Sequence, residues 1–405
     1  VAGRLVIIGA GQAGFAVAAK LRALKDTRPI TIIGGEDELP YQRPPLSKKY
    51  LLGEMSFDRL LFRSAEWFPE NDVEIWLSTL VEAIDRQAKT VRCNDGRSLD
   101  YDTLVIATGS SPRKLPAEIG GDLQGVYVVR DKTDADRLAT EMQPGRKLLV
   151  VGGGYIGLEG AAVARHLGLE VTVIEMAERI LQRVASQATA DAMRAIHEAH
   201  GVSIREKTGL ARLLGINGHV AGAELASGET IEADLVIVGI GASANDALAT
   251  AAGIETMNGI VVDEFARTSD PNIYAAGDCA LLPWDGGRVR LESVQNAVDQ
   301  AEAIAALLAG GSEPYRPKPW FWSDQYDVKL QIAGFNLGYD TTVTRPGARE
   351  GSQSIWYYKE GRLIAVDAIN DAKAYVTGKK LLEMGRNADP AIVADASSDL
   401  KQLIA

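Results

Sequence analysis

The stretch that decides the fold is KLLVVGGGYIGLEGAAVARHLGLEVTVIE, running from Lys147 to Glu175. Leu148 to Val151 reads as a buried parallel strand. Gly152, Gly154 and Gly157 mark a GxGxxG turn that also holds Tyr155, Leu158 to Leu167 continues as a helix, and Val171 to Ile174 is the next strand. The glycines let backbone approach a pyrophosphate, and the unpaired N–H groups at the helix start favour the anion together with the positive end of the dipole. The second strand ends on Glu175, whose carboxylate can accept both ribose hydroxyls of NAD and would repel a 2′-phosphate, so NADH is favoured over NADPH. Arg179 and Arg183 follow closely and could soften that preference.

Outward from this unit, a near copy stands at RLVIIGAGQAGFAVAAKLRALKDTRPITIIG, Arg4 to Gly34. Leu5 to Ile8 is the strand, Gly9, Gly11 and Gly14 with Ala13 make the turn, Phe15 to Leu24 is the helix, and Pro29 to Ile33 is the following strand. Gly34 occupies the place of Glu175, and Glu36 is the nearest acid and the candidate ribose contact. The two units lie too far apart for a tandem array and at a distance that suits two domains, which points to two different nucleotides.

A chain of 405 residues can bury two or three cores. Its net charge of -11 opposes nonspecific binding to nucleic acid or anionic membrane, although a local basic patch could dock an acidic partner. With only Cys93 and Cys279 there is no disulfide framework, and the expectation is two reduced thiols in a cytoplasmic protein. Arg4 followed by LVIIGAGQAGFAVAA has the outline of a secretory leader, but its glycines serve the nucleotide turn and no A-x-A site closes it. No apolar run reaches the roughly 18 residues of a membrane span. His197 and His200 share a helical face without a third ligand, so no metal site is expected.

Two further segments exceed what a simple dehydrogenase needs. TLVIATGSSPRKLP, Thr103 to Pro116, is a strand entering the turn Ala107-Thr108-Gly109, and NIYAAGDCALLP, Asn272 to Pro283, is a strand ending in Gly277-Asp278. In this order the four motifs resemble the two-dinucleotide-binding flavoproteins of glutathione reductase fold. The resemblance implies an α/β architecture of two Rossmann-like domains plus a C-terminal α+β domain, with FAD on the first unit, NAD(P)H on the second, Thr108 and Gly109 over the FAD phosphates and Asp278 on the ribityl chain. Disulfide reductases of this fold carry CxxxxC after the first unit, and related peroxidases and oxidases carry one redox cysteine. Here the segment is ELPYQRPPLSKKYL, Glu38 to Leu51, without sulfur. Cys93 falls in an expected hairpin, TVRCNDGRSLDYD, and both cysteines read as small buried side chains.

PYQRPPLSK, GGGYIGLE, RLESVQNA and PWFWSDQYD together resemble the oxygenase- and P450-coupled ferredoxin reductases, the putidaredoxin reductase and biphenyl dioxygenase reductase group. Members pass two electrons from NADH through FAD, one at a time, to a [2Fe-2S] ferredoxin. Read from the residues, Arg43 can pair with FAD phosphate, Pro44 and Pro45 stiffen the turn, and Lys48 is either a solvated lysine or a stabiliser of reduced flavin. The resemblance favours the second and pairs Lys48 with Glu159. It also implies that Val81 meets the adenine through its backbone, Arg130 lies against FAD, and Ile156 lines the nicotinamide side, with Gly241 also in the cofactor set. Ser293 and Val294 open a helix whose amides would face the flavin, and which is equally an ordinary Ser-capped amphipathic helix. Trp320 and Trp322 read as core aromatics on composition, whereas the resemblance sets Trp320 beside the flavin near the docking face.

Motif order gives an FAD-binding domain split between 1–110 and 240–315, an NADH-binding domain at 111–239, and a strand-rich C-terminal α+β domain at 316–405 with a turn at Glu360-Gly361. Arg63 is the first candidate for docking an acidic ferredoxin, with Lys318 and Lys329 weaker ones, and Glu302 stands where relatives are basic. The expected assembly is a monomer or weak homodimer. Two other readings remain: a rubredoxin or monodehydroascorbate reductase, and a redox signalling protein like apoptosis-inducing factor.

Overall fold

The computed structural model describes residues 3–404 and divides into two compact units. The first comprises residues up to Gln42, then Phe57–Ser111 and Ala242–Pro319. Its centre is a parallel sheet in the order Ile273–Ala275, Thr103–Ile106, Leu5–Ile8, Ile30–Ile33, Val73–Trp76. The strands Leu5–Ile8, Ile30–Ile33 and Ile273–Ala275 are short and buried throughout, as parallel strands covered on both faces must be, whereas the edge strand Val73–Trp76 exposes Glu74. Leu5 pairs with both Ile30 and Thr103, so the chain order reverses at the strand that feeds the first glycine turn. A crevice opens beyond the carboxyl ends of strands at such a point, and nucleotides bind there. The helix Gln12–Ala23 packs against the sheet through Val17, Ala18 and Leu21, and the helix Val294–Leu308 packs against it in turn. The expected hairpin around Cys93 is present, pairing Thr90–Cys93 with Ser98–Asp100, and Val81–Asp85 extends it to three strands.

The second unit comprises Arg43–Ser56, Pro112–Gly241 and the chain from Trp320 onward. Its parallel sheet runs Ser203–Arg205, Glu170–Ile174, Lys147–Val151, Leu235–Val238, Val126–Tyr127. From Trp320 the chain forms a five-stranded antiparallel sheet, in the order Trp320–Gln325, Val328–Gly334, Arg362–Ile369, Gln353–Lys359, Thr341–Pro346, followed by the helices Ala372–Glu383 and Pro390–Ala394. Glu360 and Gly361 both take positive φ, the geometry of a tight hairpin turn. The segment Arg43–Ser56 joins this unit: Leu51 enters the core of Leu138, Leu148 and Ala161, and Tyr50 Oη donates to Asp136 at 2.6 Å. Among the described residues no helix is long and apolar enough to cross a membrane.

Both nucleotide helices begin three residues earlier than the apolar spacing suggests, at Gln12 and Tyr155. Gly14 and Gly157 therefore sit inside the first helical turn. A Cβ at Gly14 would lie 1.9 Å from Gly9 O, and one at Gly157 would lie 2.3 Å from Gly152 O, so helix and turn meet backbone to backbone.

Candidate functional site

In the first unit, Gly9 takes φ +114°, and a Cβ there would strike Ala107 O at 2.1 Å, so this turn admits only glycine. Gly11 is the N-cap, and a Cβ on it would meet nothing within 4 Å. Elsewhere Asp131, Ser186, Ser293 and Asp371 cap their helices with a side-chain acceptor, but Gly11 has none to offer, and the first turn of its helix carries no acid. The open cradle and its uncapped amides fit a dinucleotide pyrophosphate. Ala13 packs at Gly277, whose N–H donates to Gln300 Oε1 at 3.0 Å. Asp278 Oδ2 accepts from Ser110 Oγ at 2.8 Å, its carbonyl from Arg290, and Thr108 Oγ1 donates to Asn245 O at 2.6 Å. Gly109 takes φ +69°. Glu36 Oε2 accepts from Tyr41 Oη at 2.6 Å, and Val81 lies on a strand paired with Cys93. Ser293 caps its helix by accepting from Asn296 N at 3.1 Å, with Val294 the first helical residue.

The second unit repeats the device. Gly152 takes φ +106° with its Cβ direction 2.4 Å from Gly239 O, and Gly154 is an N-cap with only Gly239 O near, at 3.9 Å. Glu175 follows the strand directly and accepts from Gly153 N and Ala177 N, each at 2.8 Å. This fixes the carboxylate at the mouth of the turn, where it would accept from ribose hydroxyls and repel a 2′-phosphate. Arg179 is spent on the carbonyls of Ile180 and Ala185, and the Arg183 guanidinium lies over Gly241. Ile156 is half exposed, and Tyr155 packs on Phe321 with ring centroids 4.9 Å apart. Replacing Glu175 removes a charge-assisted acceptor worth roughly 1.5–3 kcal/mol. Glu175→Ala is therefore expected to lower the NADH-over-NADPH preference in flavin bleaching roughly tenfold or more while FAD stays bound; an unchanged preference would remove Glu175 as the selector.

The second unit also carries an ion pair between the two predicted catalytic residues, buried on the Glu159 side. Pro44–Ser47 form a 3₁₀ turn that delivers Lys48, and Lys48 Nζ lies 2.7 Å from Glu159 Oε2. Glu159 stands on the helix that starts at Tyr155 and is only 4% exposed. Ser47 Oγ donates to the same carboxylate oxygen at 2.8 Å, and Ser323 Oγ donates to Oε1 at 2.6 Å. These donors offset the desolvation that a lone buried carboxylate would suffer. Arg43 Nη1 donates to Arg130 O at 2.9 Å, and Arg130 N donates to Asp134. Trp320 opens the C-terminal sheet with Trp322 5.5 Å away, and Lys379 Nζ lies 5.0 Å from its ring centroid. Neither Ser47, Ser323 nor Lys379 stands out in the sequence, because nothing local marks a serine or lysine that will meet a side chain far along the chain.

Of the docking candidates, Arg63 and Lys318 are exposed, and Lys329 lies 3.9 Å from Asp324. Glu302 pairs with Lys20 at 2.9 Å. Both cysteines are buried free thiols, and burial pushes each thiol up.

Residues 3–301 match the family model described as pyridine nucleotide-disulphide oxidoreductase, and residues 320–404 match one described as reductase C-terminal. Rhodocoxin reductase of Rhodococcus erythropolis is 43% identical across 99% of this chain and 94% of its own length. Among solved structures, the covalent putidaredoxin reductase–putidaredoxin complex superposes with a TM-score of 0.96 at 37% identity, covering 99% of this chain and 98% of the other. The ferredoxin reductase for the CYP199A2 system of Rhodopseudomonas palustris gives a TM-score of 0.96 at 40% identity, covering 99% and 100%.

Proposed function

We propose that this chain, which belongs to the pyridine nucleotide-disulphide oxidoreductase family, is an NADH-dependent flavoprotein that delivers electrons one at a time to a [2Fe-2S] ferredoxin serving a P450 or ring-hydroxylating oxygenase. It is an oxidoreductase whose cofactors are FAD and NAD(H). The observation that carries the reading is the buried Lys48–Glu159 pair on a turn without sulfur. Where a disulfide reductase would pass electrons to a cysteine pair, this chain offers a fixed cation and two buried thiols that burial holds protonated. The electrons must then leave for another molecule. The names of the relatives point the same way, toward small electron-carrier proteins.

The flavin supplies the conversion between a two-electron donor and a one-electron acceptor. The protein supplies binding, orientation and charge. Gly9, Gly11 and Gly14 would receive the FAD pyrophosphate and Asp278, held by Ser110, would take the ribityl chain, and the resemblance adds Arg43 and Arg130 to the FAD-binding residues. Gly152, Gly154 and Glu175 would receive NADH, and by the resemblance Ile156 would line the nicotinamide side. Lys48, its position fixed by Glu159, would supply the positive charge that favours the reduced flavin, and Ser47 donates to the same Glu159 oxygen. This reading goes with the split FAD-binding domain and inserted NADH-binding domain given above, with a cytoplasmic setting for the reduced thiols, and with a monomer or weak homodimer.

The test is NADH-driven cytochrome c reduction with added ferredoxin across ionic strengths, in wild type and Arg63→Glu. An acidic ferredoxin meets an acidic chain only through a local basic patch, so apparent affinity should fall with salt and roughly tenfold with the charge reversal. Ferricyanide reduction, which needs no docking, should barely change. Robust ferricyanide activity without acceleration by any [2Fe-2S] ferredoxin of the same organism would make a small molecule or rubredoxin the acceptor.

A further inference from the structure

Glu159 is the end of a longer polar chain. Its Oε1 accepts from Ser323 Oγ at 2.6 Å; Ser323 Oγ in turn lies 3.0 Å from Gln325 Nε2; Gln325 Oε1 lies 2.6 Å from His197 Nε2; and His197 Nδ1 lies 3.0 Å from Tyr326 Oη. Ser323, Gln325 and His197 are fully buried, with at most 1% exposure. A buried carboxylate only accepts, and this single fact sets every proton in the chain. Ser323 must spend its one hydrogen on Glu159, so it accepts from the Gln325 amide nitrogen. The Gln325 oxygen then faces His197 and requires Nε2–H, which leaves Nδ1 bare to accept from Tyr326. All four bonds point their donors toward Glu159. Burial pushes His197 down to about 4, so the ring is neutral with a single proton, as the sequence of bonds demands.

An amide in the middle cannot pass a proton on without becoming an imidic acid, so the chain is no proton wire. Aligned hydrogen bonds polarise one another, and here the sum acts on one carboxylate whose other oxygen carries Lys48. We propose that Ser323, Gln325 and His197 are positioning residues that hold Glu159, and through it Lys48, for reduction of the flavin by NADH. The inference rests on the reading of Lys48 given above. It gives the C-terminal region, which supplies Ser323, Gln325 and Tyr326, a part in the hydride step.

The experiment uses the FAD-loaded protein with Ser323→Ala, Ser323→Thr and Gln325→Met, each alone and combined with Lys48→Met. Single-turnover bleaching by NADH, the flavin midpoint potential and thermal unfolding are measured. Ser323→Ala should slow bleaching about fivefold and lower the potential, since it removes a hydrogen bond to the charged Glu159, and Gln325→Met, one bond further from that carboxylate, should move both the same way by less. Ser323→Thr, which keeps the hydroxyl, should restore both. In the Lys48→Met background the same changes should cost nothing further in rate or potential, because their effect runs through the lysine. Unchanged rate and potential in both single variants, or equal losses with and without Lys48, would overturn the proposal and leave a packing role. If Lys48→Met itself left bleaching and potential untouched, the reading of Lys48 would fail and take the proposal with it, whereas a loss of ferredoxin turnover alone would concern the acceptor.

Discussion

Lys48→Met is expected to lower the thermal midpoint by roughly 5 °C and slow flavin reduction by NADH on the order of a hundredfold, and the two effects should separate in a second variant. The stability loss comes from Glu159. Without the ammonium at 2.7 Å, the carboxylate keeps only the hydroxyls of Ser47 and Ser323 in a site almost closed to water. Stranding one charge of a buried pair costs about 3–5 kcal/mol, while replacing both by neutral groups is close to neutral. Lys48→Met/Glu159→Gln should therefore recover most of the midpoint, because the amide can still accept from a serine and carries no charge to desolvate. The rate should stay low, because the cation proposed to stabilise charge on the flavin is still missing. FAD retention should hold throughout, since the pyrophosphate turn at Gly9 to Gly14 lies elsewhere in the chain. Thermal unfolding and stopped-flow bleaching of the three proteins decide it; a rate that recovers with the midpoint would make the pair a structural one.

What the sequence made legible follows from how local each feature is. The two glycine turns, their strands and the ends at Gly34 and Glu175 could be read directly, because strand, turn, helix and strand follow one another within one short βαβ unit, although the contacts that force Gly9 and Gly152, with Ala107 O and Gly239 O, come from the ends of strands far along the chain. The helix starts were misplaced by three residues because Gly14 and Gly157, poor helix formers, are tolerated there for close backbone approach, which spacing rules do not register. The Ser293 cap, the Cys93 hairpin and the Glu360-Gly361 turn were local and visible. The Lys48–Glu159 pair came only through resemblance. Its supports were invisible for a physical reason: Ser323 meets Glu159 across 164 positions, and His197 meets Gln325 across 128. His197 and His200, suggestive as an i, i+3 pair, part company in the structure. His197 turns inward to Gln325 and Tyr326, while His200 stacks on the Tyr326 ring at 3.7 Å from the outside.

The pH dependence of stability should carry the signature of a second buried acid, Asp367, which the mechanism does not use. It lies on the strand Arg362–Ile369, wholly buried, and its Oδ2 accepts from Thr189 Oγ1 at 2.7 Å and from Tyr357 Oη, whereas Oδ1 has no partner among the described residues. Burial pushes this carboxyl up to about 6, with the two hydroxyl donors only partly opposing it. The sign follows from that order. A carboxyl whose folded value lies above its unfolded one is most favourable to folding at low pH, and its contribution is lost as pH rises through the folded value. A shift of about two units from 3.8 corresponds to about 3 kcal/mol across the whole range, of which about half falls between pH 5 and pH 8. Asp367→Asn keeps an acceptor for Tyr357 and Thr189 and cannot ionise. Thermal midpoints measured side by side should therefore diverge as pH rises, the wild type losing a few degrees against the variant between pH 5 and pH 8. Other carboxyls held low by partners, such as Asp270 beside Arg86, act at more acid pH and are common to both proteins, so they cancel in the difference. Midpoint curves that run parallel across this window would show that Asp367 is already ionised in the folded protein throughout it, with the Tyr357 and Thr189 hydroxyls offsetting its burial.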